Sequence, residues 1–213
     1  MTAPLSGRKA QAARNDQLIV DAAREVFVAD PTAPIAAVAE RAGVGISALY
    51  RRYPSKEDLL RKLCADGLEL YTSIVQKAVA ATDAGGDPWA AFETFMREIV
   101  EADTHSITNA LAGTFTPSDE LTSMAIHAGM LNDELMARTV RAGVVRADLD
   151  VGDLGALFEQ LAVVQVGDRE RTRELRERYL TIILDGIRRP PTSTPLPGHS
   201  PTLAERAARW EPR

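Results

Sequence analysis

The sequence is poor in cysteine and has few aromatic residues. Cys64 is the single cysteine among 213 residues, and aromatic residues make up 5% of the chain. An intramolecular disulfide is therefore impossible, and a zinc site built from several cysteines is excluded. Leu60, Leu63 and Leu68 lie close to Cys64 in the sequence. This setting predicts that Cys64 is a small, buried apolar side chain.

Long hydrophobic runs are also absent. No window approaches the roughly 18 consecutive apolar residues of a membrane-spanning helix. The first residues, MTAPLSGRKAQAARNDQ, contain no apolar run of the secretory-signal type. Hydrophobic residues make up 45% and charged residues 26% of the chain, as in ordinary globular proteins of one or two domains. We therefore expect a cytoplasmic protein that does not enter a membrane.

The patterns typical of catalysis and metal binding are missing. His105 and His127 do not share one helical turn, and neither HxxxH nor HExxH occurs. The sequence contains no recognisable set of nucleophile, base and orienting group, and Cys64 has no plausible base nearby. We expect no metal site, no cofactor and no enzymatic activity, so an all-helical enzyme is the least supported interpretation.

Strand signals are weak and helical signals are strong. Val, Ile and Thr do not gather in short alternating runs, whereas apolar residues recur at helical spacing between breaks rich in proline and glycine. The predicted helices span residues 15–29, 35–42, 46–53, 55–80, 88–103, 105–115, 118–142, 151–166 and 169–188. The stretch PPTSTPLPGHSPT, from Pro190, predicts a flexible or extended tail. The segment AERAARW, residues 204–210, carries a weak helical signal.

Charge is distributed unevenly along the chain. The net charge is -5, but residues 1–62 carry ten lysines and arginines against seven aspartates and glutamates. The remaining residues, 63–213, are acidic overall. A small basic front attached to an acidic body indicates a localised surface for a polyanion such as nucleic acid.

The stretch around AGVGISALYRR, residues 42–52, has the spacing of a helix-turn-helix. A small residue at Ala39 allows the two helices to approach closely, and Gly43 suits the positive φ of a tight turn. Leu49 then holds the second helix against the first. The other expected members of this small core are Phe27, Val38, Val44, Tyr53 and Leu59.

The outer face of the second helix remains for recognition. It is predicted to carry Gly45, Ile46, Ser47, Ala48, the Tyr50 hydroxyl, and Arg51 or Arg52, of which Arg52 is favoured. Small residues at the start of a recognition helix let its backbone lie deep in the major groove. Flanking basic residues, including Lys56, can pair with phosphates.

Residues 15–60 resemble the DNA-binding domain of the TetR/AcrR family of bacterial transcriptional regulators. The matching stretch is VAERAGVGISALYRRYPSKEDLL, residues 38–60, with its glycine turn and its Pro-Ser-Lys-Glu helix start. The resemblance implies an all-α protein in which a three-helix DNA-binding domain is joined by a long helix to a ligand-binding and dimerisation body. The expected divisions are a basic arm over 1–14, the DNA-binding domain over 15–62, the body over 63–189 and the tail over 190–213.

Roles for individual residues follow from the same resemblance. Tyr50 and Lys56 match phosphate and groove-edge contacts, while Gly45, Ile46 and Ser47 match positions that face bases. The linker VADPTAP, residues 28–34, departs from the family because it is short and lacks the common glycine.

Few side chains therefore remain for direct base readout. Pro34 and Ile35 stand where a hydroxyl residue often caps the next helix, and Ala36 where some members carry an arginine. Ile46 and Ala48 can contact thymine methyl groups, and DNA shape would supply further specificity.

The N-terminal arm has two open interpretations. Arg8, Lys9 and Arg14 can follow the DNA backbone or enter the minor groove. An ordinary solvated tail explains the same residues equally well.

The resemblance also implies a ligand pocket and a dimer interface in the body. Each candidate for the pocket is otherwise explained as a core or surface residue. The pocket candidates are Trp89, Phe92, Phe95, Met96, His105, Asn109, Phe115, Met124, His127 and Phe158. The dimer candidates are Leu154, Leu157, Leu161, Val164, Tyr179, Ile183 and Ile187. The charged stretch RERTRELRERY, residues 169–179, predicts a solvated helix face.

These features predict a homodimeric repressor that binds a palindromic operator in double-stranded DNA. A small apolar or amphipathic effector would release it. A DNA-binding regulator that answers to a protein partner, or that has no ligand response, is the alternative. The sequence alone does not distinguish it from the ligand-responsive repressor.

Overall fold

The computed structural model describes residues 7–188 and 194–211. Over these residues the chain forms ten α-helices and, apart from one isolated bridge between Val145 and Arg188, no β structure. The helices are α1 Gly7–Ala29, α2 Ile35–Ala42, α3 Ile46–Arg52, α4 Lys56–Asp83, α5 Pro88–Ala102, α6 Thr104–Leu111, α7 Asp119–Arg141, α8 Val151–Val163, α9 Arg169–Ile187 and α10 Leu203–Ala208. The predicted all-α fold is confirmed. None of the described helices is long and apolar enough to span a membrane.

Most predicted helix ends lie within a few residues of the observed ones, with one large difference. α1 begins at Gly7 rather than at Asn15, so residues 7–14 of the predicted arm are helical. Arg14 in this segment donates a hydrogen bond to the side chain of Gln11 (2.9 Å). The two open interpretations of the arm also involve Arg8 and Lys9, whose side chains lie outside those that the structure describes.

Local sequence explains where several helices start and stop. Ser55 caps α4: its hydroxyl accepts the backbone N–H of Asp58, whose carboxylate accepts the backbone N–H of Ser55, both at 3.1 Å. This is a capping box at the predicted helix start. α6 ends at Leu111, earlier than predicted, because the backbone turns at Gly113 with a φ of 76°.

The described residues form two apolar cores joined by α4. The N-terminal core packs α1, α2 and α3 against the first half of α4. It also takes in residues of α6 and of the following loop and helix, namely Ile107, Leu111, Phe115 and Leu121. Cys64 belongs to this core as predicted, and burial raises the pKa of its thiol to about 12. The thiol is therefore protonated at neutral pH.

The body core packs the second half of α4 against α5, α7, α8 and α9. Phe92, Phe95 and Met96 of α5 lie at its centre with Leu135 of α7 and Leu154 of α8, and all five are almost completely buried. α4 contributes to both cores and α6 packs against α1, so these two helices connect the body to the N-terminal helices.

Candidate DNA-binding surface and candidate ligand site

The predicted helix-turn-helix geometry is confirmed in α2 and α3. Gly43 adopts the left-handed conformation (φ 65°) that the turn requires. The backbone N–H of Val44 bonds the Ala39 carbonyl oxygen at 3.0 Å, which closes the end of α2. Leu49 is completely buried and Ala39 nearly so. The two helices are thus fixed by one small residue, one glycine and one leucine.

The outer face of α3 combines small and apolar groups with solvent exposure. Gly45, Ile46 and Ser47 are exposed and Ala48 is half-buried. Ile46 keeps 40% and Tyr50 keeps 48% of its surface exposed. The start of α3 thus presents small side chains, one isoleucine and one tyrosine to solvent, a composition that can enter a DNA major groove.

Arg52 is held by an ion pair that crosses from α3 to α1. Its Nε and Nη2 atoms donate to the two carboxylate oxygens of Asp16 at 2.7 and 3.0 Å, and the Tyr53 hydroxyl donates to the same carboxylate at 2.7 Å. The Arg52 hydrogen bond is the main cause that lowers the pKa of Asp16. By contrast Arg51 is exposed and has no ion pair among the described residues. This arrangement favours Arg51, rather than Arg52, as the free cation of α3.

Lys56 is engaged inside the N-terminal domain. Its Nζ donates hydrogen bonds to the carbonyl oxygens of Pro31 and Ala33, both at 2.8 Å, and lies 4.9 Å from the centre of the Phe27 ring. Burial lowers the pKa of Lys56, while the nearby Asp30 acts in the opposite direction. Two of the three ammonium hydrogens are therefore used to hold the loop after α1 against α4. The third ammonium hydrogen remains for the predicted phosphate contact, which stays a prediction.

In the body, four ring side chains from four helices form an aromatic cluster. His105 lies between Phe158 and Tyr71, at ring-centre distances of 5.0 and 5.7 Å, and Phe95 completes the cluster at 5.9 Å from Phe158. Burial lowers the pKa of His105 to about 4, so the ring is neutral at pH 7. Tyr71, which sequence reasoning missed, donates its hydroxyl hydrogen to Asn132 Oδ1 at 3.0 Å.

A small space of about 10 Å³, room for about one water molecule, adjoins this aromatic cluster. His105 and Phe158 line it together with Asp103 and Arg176. Arg176 is buried: its Nη1 donates to Asp103 Oδ1 at 2.6 Å, and Nη2 and Nε donate to the carbonyl oxygens of Ala162 and Val164. The cavity therefore has aromatic and charged walls.

The solvated face predicted for residues 169–179 is wrong at Arg176. Arg176 shares one face of α9 with the buried Leu180, Leu184 and Ile187. Extending that apolar spacing backwards by one turn reaches Arg176, which is the signal that would have identified it.

Several predicted pocket residues lie elsewhere. His127 is exposed on α7, and Met124 packs at the edge of the N-terminal core. Asn109 donates to the Glu159 carbonyl oxygen at 3.0 Å, and Phe115 belongs to the N-terminal core. Trp89, Phe92 and Met96 are buried within the body core rather than along the cavity.

The predicted dimer residues separate into two groups. Leu154, Leu161 and Ile187 are buried in the core of the single chain, so they offer no surface to a partner. Leu157, Val164 and Ile183 are half-buried, and Tyr179 is exposed. Two apolar residues outside the predicted dimer set are more exposed than any member of it. They are Val163 and Ile182, with 73% and 61% of their surfaces exposed. α8 is apolar around most of its circumference because one face packs internally and another remains uncovered.

Two segments match known protein families. Residues 19–63 match the bacterial regulatory proteins of the tetR family, and residues 87–189 match the C-terminal domain of SbtR-like transcriptional regulators. Together these segments cover more than half of the chain.

Two curated relatives come from Mycolicibacterium smegmatis. The transcriptional repressor KstR is 34% identical over 110 residues, which are 50% of this chain and 52% of KstR. The transcriptional repressor LfrR is 38% identical over 65 residues, which are 30% of this chain and 34% of LfrR. The chain thus aligns with about half of KstR and a third of LfrR.

Solved structures have the same fold. The TetR regulator SCO0520 of Streptomyces coelicolor has a TM-score of 0.56 and 25% identity, and the match covers 81% of this chain and 98% of that one. LfrR in complex with proflavine has a TM-score of 0.52 and 24% identity, covering 79% and 95%.

A helix-turn-helix joined to an all-helical body, with these matches, defines a transcriptional regulator rather than an enzyme. The chain belongs to the TetR family.

Proposed function

We propose that this regulator is a cytoplasmic, homodimeric repressor that binds a palindromic operator and is released by a small apolar or amphipathic molecule. The observation that carries the proposal is the exposed outer face of α3, where Ile46, Ser47 and Tyr50 surround a helix start without side-chain caps. In this proposal residues 15–62 form the DNA-binding domain and residues 63–189 the body.

The roles at the DNA surface follow from exposure and hydrogen bonding. Gly45, Ile46, Ser47 and Ala48 would face base edges, with Ile46 suited to thymine methyl groups. Tyr50 and Arg51 would contact phosphates, because both are exposed and Arg51 carries an uncommitted charge.

Two further basic residues act mainly through other parts of the domain. Arg52 would set the angle of α3 through its ion pair with Asp16, and its exposed edge can still approach phosphate. Lys56 would fix the loop after α1, with one ammonium hydrogen left for a phosphate.

Dimerisation would use the uncovered faces of α8 and α9. Val163, Tyr179 and Ile182 supply exposed apolar surface, and Leu157, Val164 and Ile183 border it. Burial of such a patch in a symmetric contact is the usual basis of a two-fold dimer. Two copies of α3 would then lie about 34–36 Å apart, one turn of DNA.

The effector site would lie at the aromatic cluster and its cavity. The structure of LfrR with proflavine supports a small organic ligand for this kind of body. The ion pair of Arg176 and Asp103 beside the cavity would connect the effector site to the DNA-binding domain. Arg24 of α1 donates a hydrogen bond to the Asp103 carbonyl oxygen at 3.5 Å. A ligand that displaced this pair would move α1 and α6 together. A coupling of about 1–3 kcal/mol is the usual size of such effects.

A regulator without ligand response is the second candidate, and the small cavity favours it. A space of about 10 Å³, room for about one water molecule, is far below the roughly 300–1,000 Å³ of ordinary ligand pockets. In this case a protein partner, or protein concentration alone, would control DNA binding.

A mobility-shift assay on the DNA that flanks the coding sequence tests the proposal. We expect a sequence-specific shift for the wild type and a strongly reduced shift for Tyr50→Ala. Ile126→Ala, at an exposed apolar position of α7, is the matched control and should shift DNA normally. A lipophilic compound that releases the shift supports the effector-controlled repressor, whereas a shift that no compound releases favours the second candidate. Equal shifts by wild type and Tyr50→Ala would contradict the role of α3.

A further inference from the structure

The described part of the C-terminal tail, residues 194–211, lies along α8 and ends over the loop after α6. At its start, Arg146 donates to the Thr194 carbonyl oxygen at 2.7 Å, and the backbone N–H of Leu196 donates to Asp148 at 3.0 Å. At its end, Arg209 forms an ion pair with Glu159 of α8. From residue 194 onwards, the tail that was expected to be flexible or extended is thus docked on the body.

The tail contacts residues that the sequence assigned to the ligand pocket. Arg209 Nη2 donates to Asn109 Oδ1 at 3.4 Å. The ring of Trp210 packs edge-on against Phe115, with 5.8 Å between ring centres. Asn109 lies one turn beyond His105 on α6, and Phe115 lies in the loop that follows this helix. The docked tail and the candidate effector site therefore share α6.

Arg206 brings the tail to the aromatic cluster itself. Its Nη1 atom would lie 3.4 Å from a Cβ placed on Gly155 of α8. Burial raises the pKa of Tyr71, while its hydrogen bond with Asn132 and the positive charge of Arg206 act against that rise. The Arg206 side chain thus packs against α8 with its Nε atom buried.

Two glycines of α8 make this close contact sterically allowed. A Cβ on Gly152 would lie 2.4 Å from the Pro201 carbonyl oxygen, a distance that no real side chain can accept. Gly152 and Gly155 share one face of α8 with Glu159, the partner of Arg209. The face of α8 under the tail is therefore shaped for this segment of the chain.

The contact is nevertheless poised to open. α10 contains no buried residue, and Leu203 is largely exposed. The Nε atom of Arg206 is buried and has no hydrogen-bond partner among the described residues, an arrangement that weakens docking. A segment held by a few polar contacts and one aromatic pair belongs to the low-stability part of a protein.

We propose that the C-terminal tail is an intramolecular competitor of the effector: Arg206 and Trp210 cover the entrance between α4, α6 and α8, and an apolar ligand must displace them. The proposal rests on the effector site of the proposed function. The apparent ligand affinity equals the affinity of the open state multiplied by the fraction of molecules in which the tail is open. The docked tail therefore raises the effector concentration at which the site is half-occupied.

Nile red, a neutral lipophilic dye, is the probe for the first test. Gly152→Ala keeps every tail residue and suits a helix, but its Cβ displaces Pro201. We expect Gly152→Ala and a chain that stops after residue 193 to bind Nile red more tightly than the wild type. The increase is about tenfold if the wild-type tail is open about a tenth of the time. A synthetic peptide of residues 194–213 should compete with the dye on the shortened chain.

Gly129→Ala is the matched control, because a Cβ on this α7 glycine meets nothing within 4 Å. Its dye affinity should equal that of the wild type. Trp210 provides a second readout, since the chain has two tryptophans and Trp89→Phe leaves only Trp210 fluorescent. Saturating Nile red should shift the emission of Trp210 to longer wavelength as the ring leaves Phe115 and meets water.

The outcomes separate this proposal from the proposed function. Equal dye affinity in all four chains, with unchanged Trp210 emission, overturns the tail as a competitor but leaves an effector site in place. Absence of dye binding in every chain, including the shortened one, overturns both the tail proposal and the effector site. Tighter dye binding without peptide competition overturns the proposal, because the dye then binds elsewhere.

Discussion

In the N-terminal core the charged side chains lie at the rim, whereas in the body core the guanidinium of Arg176 lies inside. Arg52 and Lys56 connect one helix or loop to another from the surface. Arg176 instead joins α9 to Asp103 at the junction of α5 and α6, beside a cavity. The first arrangement fixes a recognition helix in one orientation. The second places a charged pair where a change in packing alters several helices at once.

The largest expected effect comes from charges placed at apolar positions of α8 and α9. Leu161→Glu puts a carboxylate in the body core, and we expect the chain not to fold, because an unpaired buried charge is strongly destabilising. Ile182→Glu changes an exposed position of α9 and should yield a folded monomer that binds DNA weakly. Circular dichroism and sedimentation measure both results. A dimer that persists in Ile182→Glu would contradict the proposed interface.

Breaking the ion pair between the buried Arg176 and the half-buried Asp103 should have the next largest effect. Asp103→Asn removes only the charge, and asparagine tolerates the positive φ of 50° at this position. We expect the free energy of unfolding to fall by about 1–3 kcal/mol, because the buried Arg176 loses its counter-charge while solvent at the exposed side of Asp103 screens part of the effect.

The matched control for this pair is Asp83→Asn, which removes the exposed partner of Arg138. It should change stability by about 0–1 kcal/mol in the same urea titration. Similar losses in the two variants would show that Arg176 is no more buried in energetic terms than a surface arginine.

The aromatic cluster predicts a pH effect that is specific to the body. The folded pKa of His105 is about 4, below the ordinary value of about 6.5. Below pH 6.5 the unfolded chain binds more protons, so stability is complete above that pH and is lost as the pH falls towards 4. We expect His105 to account for a loss of about 1–2 kcal/mol between pH 7 and pH 5.

His105→Phe is the variant that isolates this loss, since phenylalanine fits the same aromatic stack and does not titrate. Its urea midpoint should vary less than that of the wild type between pH 7 and pH 5. An unchanged pH dependence would mean that the imidazole is hydrated in the folded chain.

Two basic residues of the N-terminal domain should separate stability from DNA affinity. Lys56→Met leaves the carbonyl oxygens of Pro31 and Ala33 unpaired, so we expect about 1–2 kcal/mol less stability. Arg51→Met should leave stability within about 0.5 kcal/mol and reduce the salt slope of DNA binding by about 0.9. Urea titration and binding at several salt concentrations test the pair. A loss of salt slope in Lys56→Met alone would reverse the assignment.

The parts that sequence predicted well depend on short-range relations. Ala39, Gly43 and Leu49 lie within eleven residues of one another, so turn chemistry and helical spacing determine their positions. The Ser55 cap is equally local. The hydrogen bonds of Lys56 could not be predicted in this way, because the carbonyl oxygens that accept them lie in the loop after α1, more than twenty residues away.

The body shows the same limit more strongly. Helical spacing identified Leu154 and Leu161 as apolar positions of α8 but did not tell which apolar face packs internally. Docking of residues 194–211 depends on Gly152 and Gly155, whose meaning appears only when a second segment lies against them. The candidate DNA surface depends on neighbouring residues, so the sequence predicted it. The candidate ligand site depends on contacts between residues far apart in the chain, so the sequence predicted it only in part.

The most direct test of the central claim is an unbiased selection from random double-stranded DNA with the wild type and Tyr50→Ala. The account predicts that the wild type enriches a palindrome whose half-sites are about one helical turn apart. Tyr50→Ala should enrich the same sequence weakly or not at all. Failure of the folded wild-type protein to enrich any sequence, or equal enrichment by both proteins, would contradict recognition of DNA by α3.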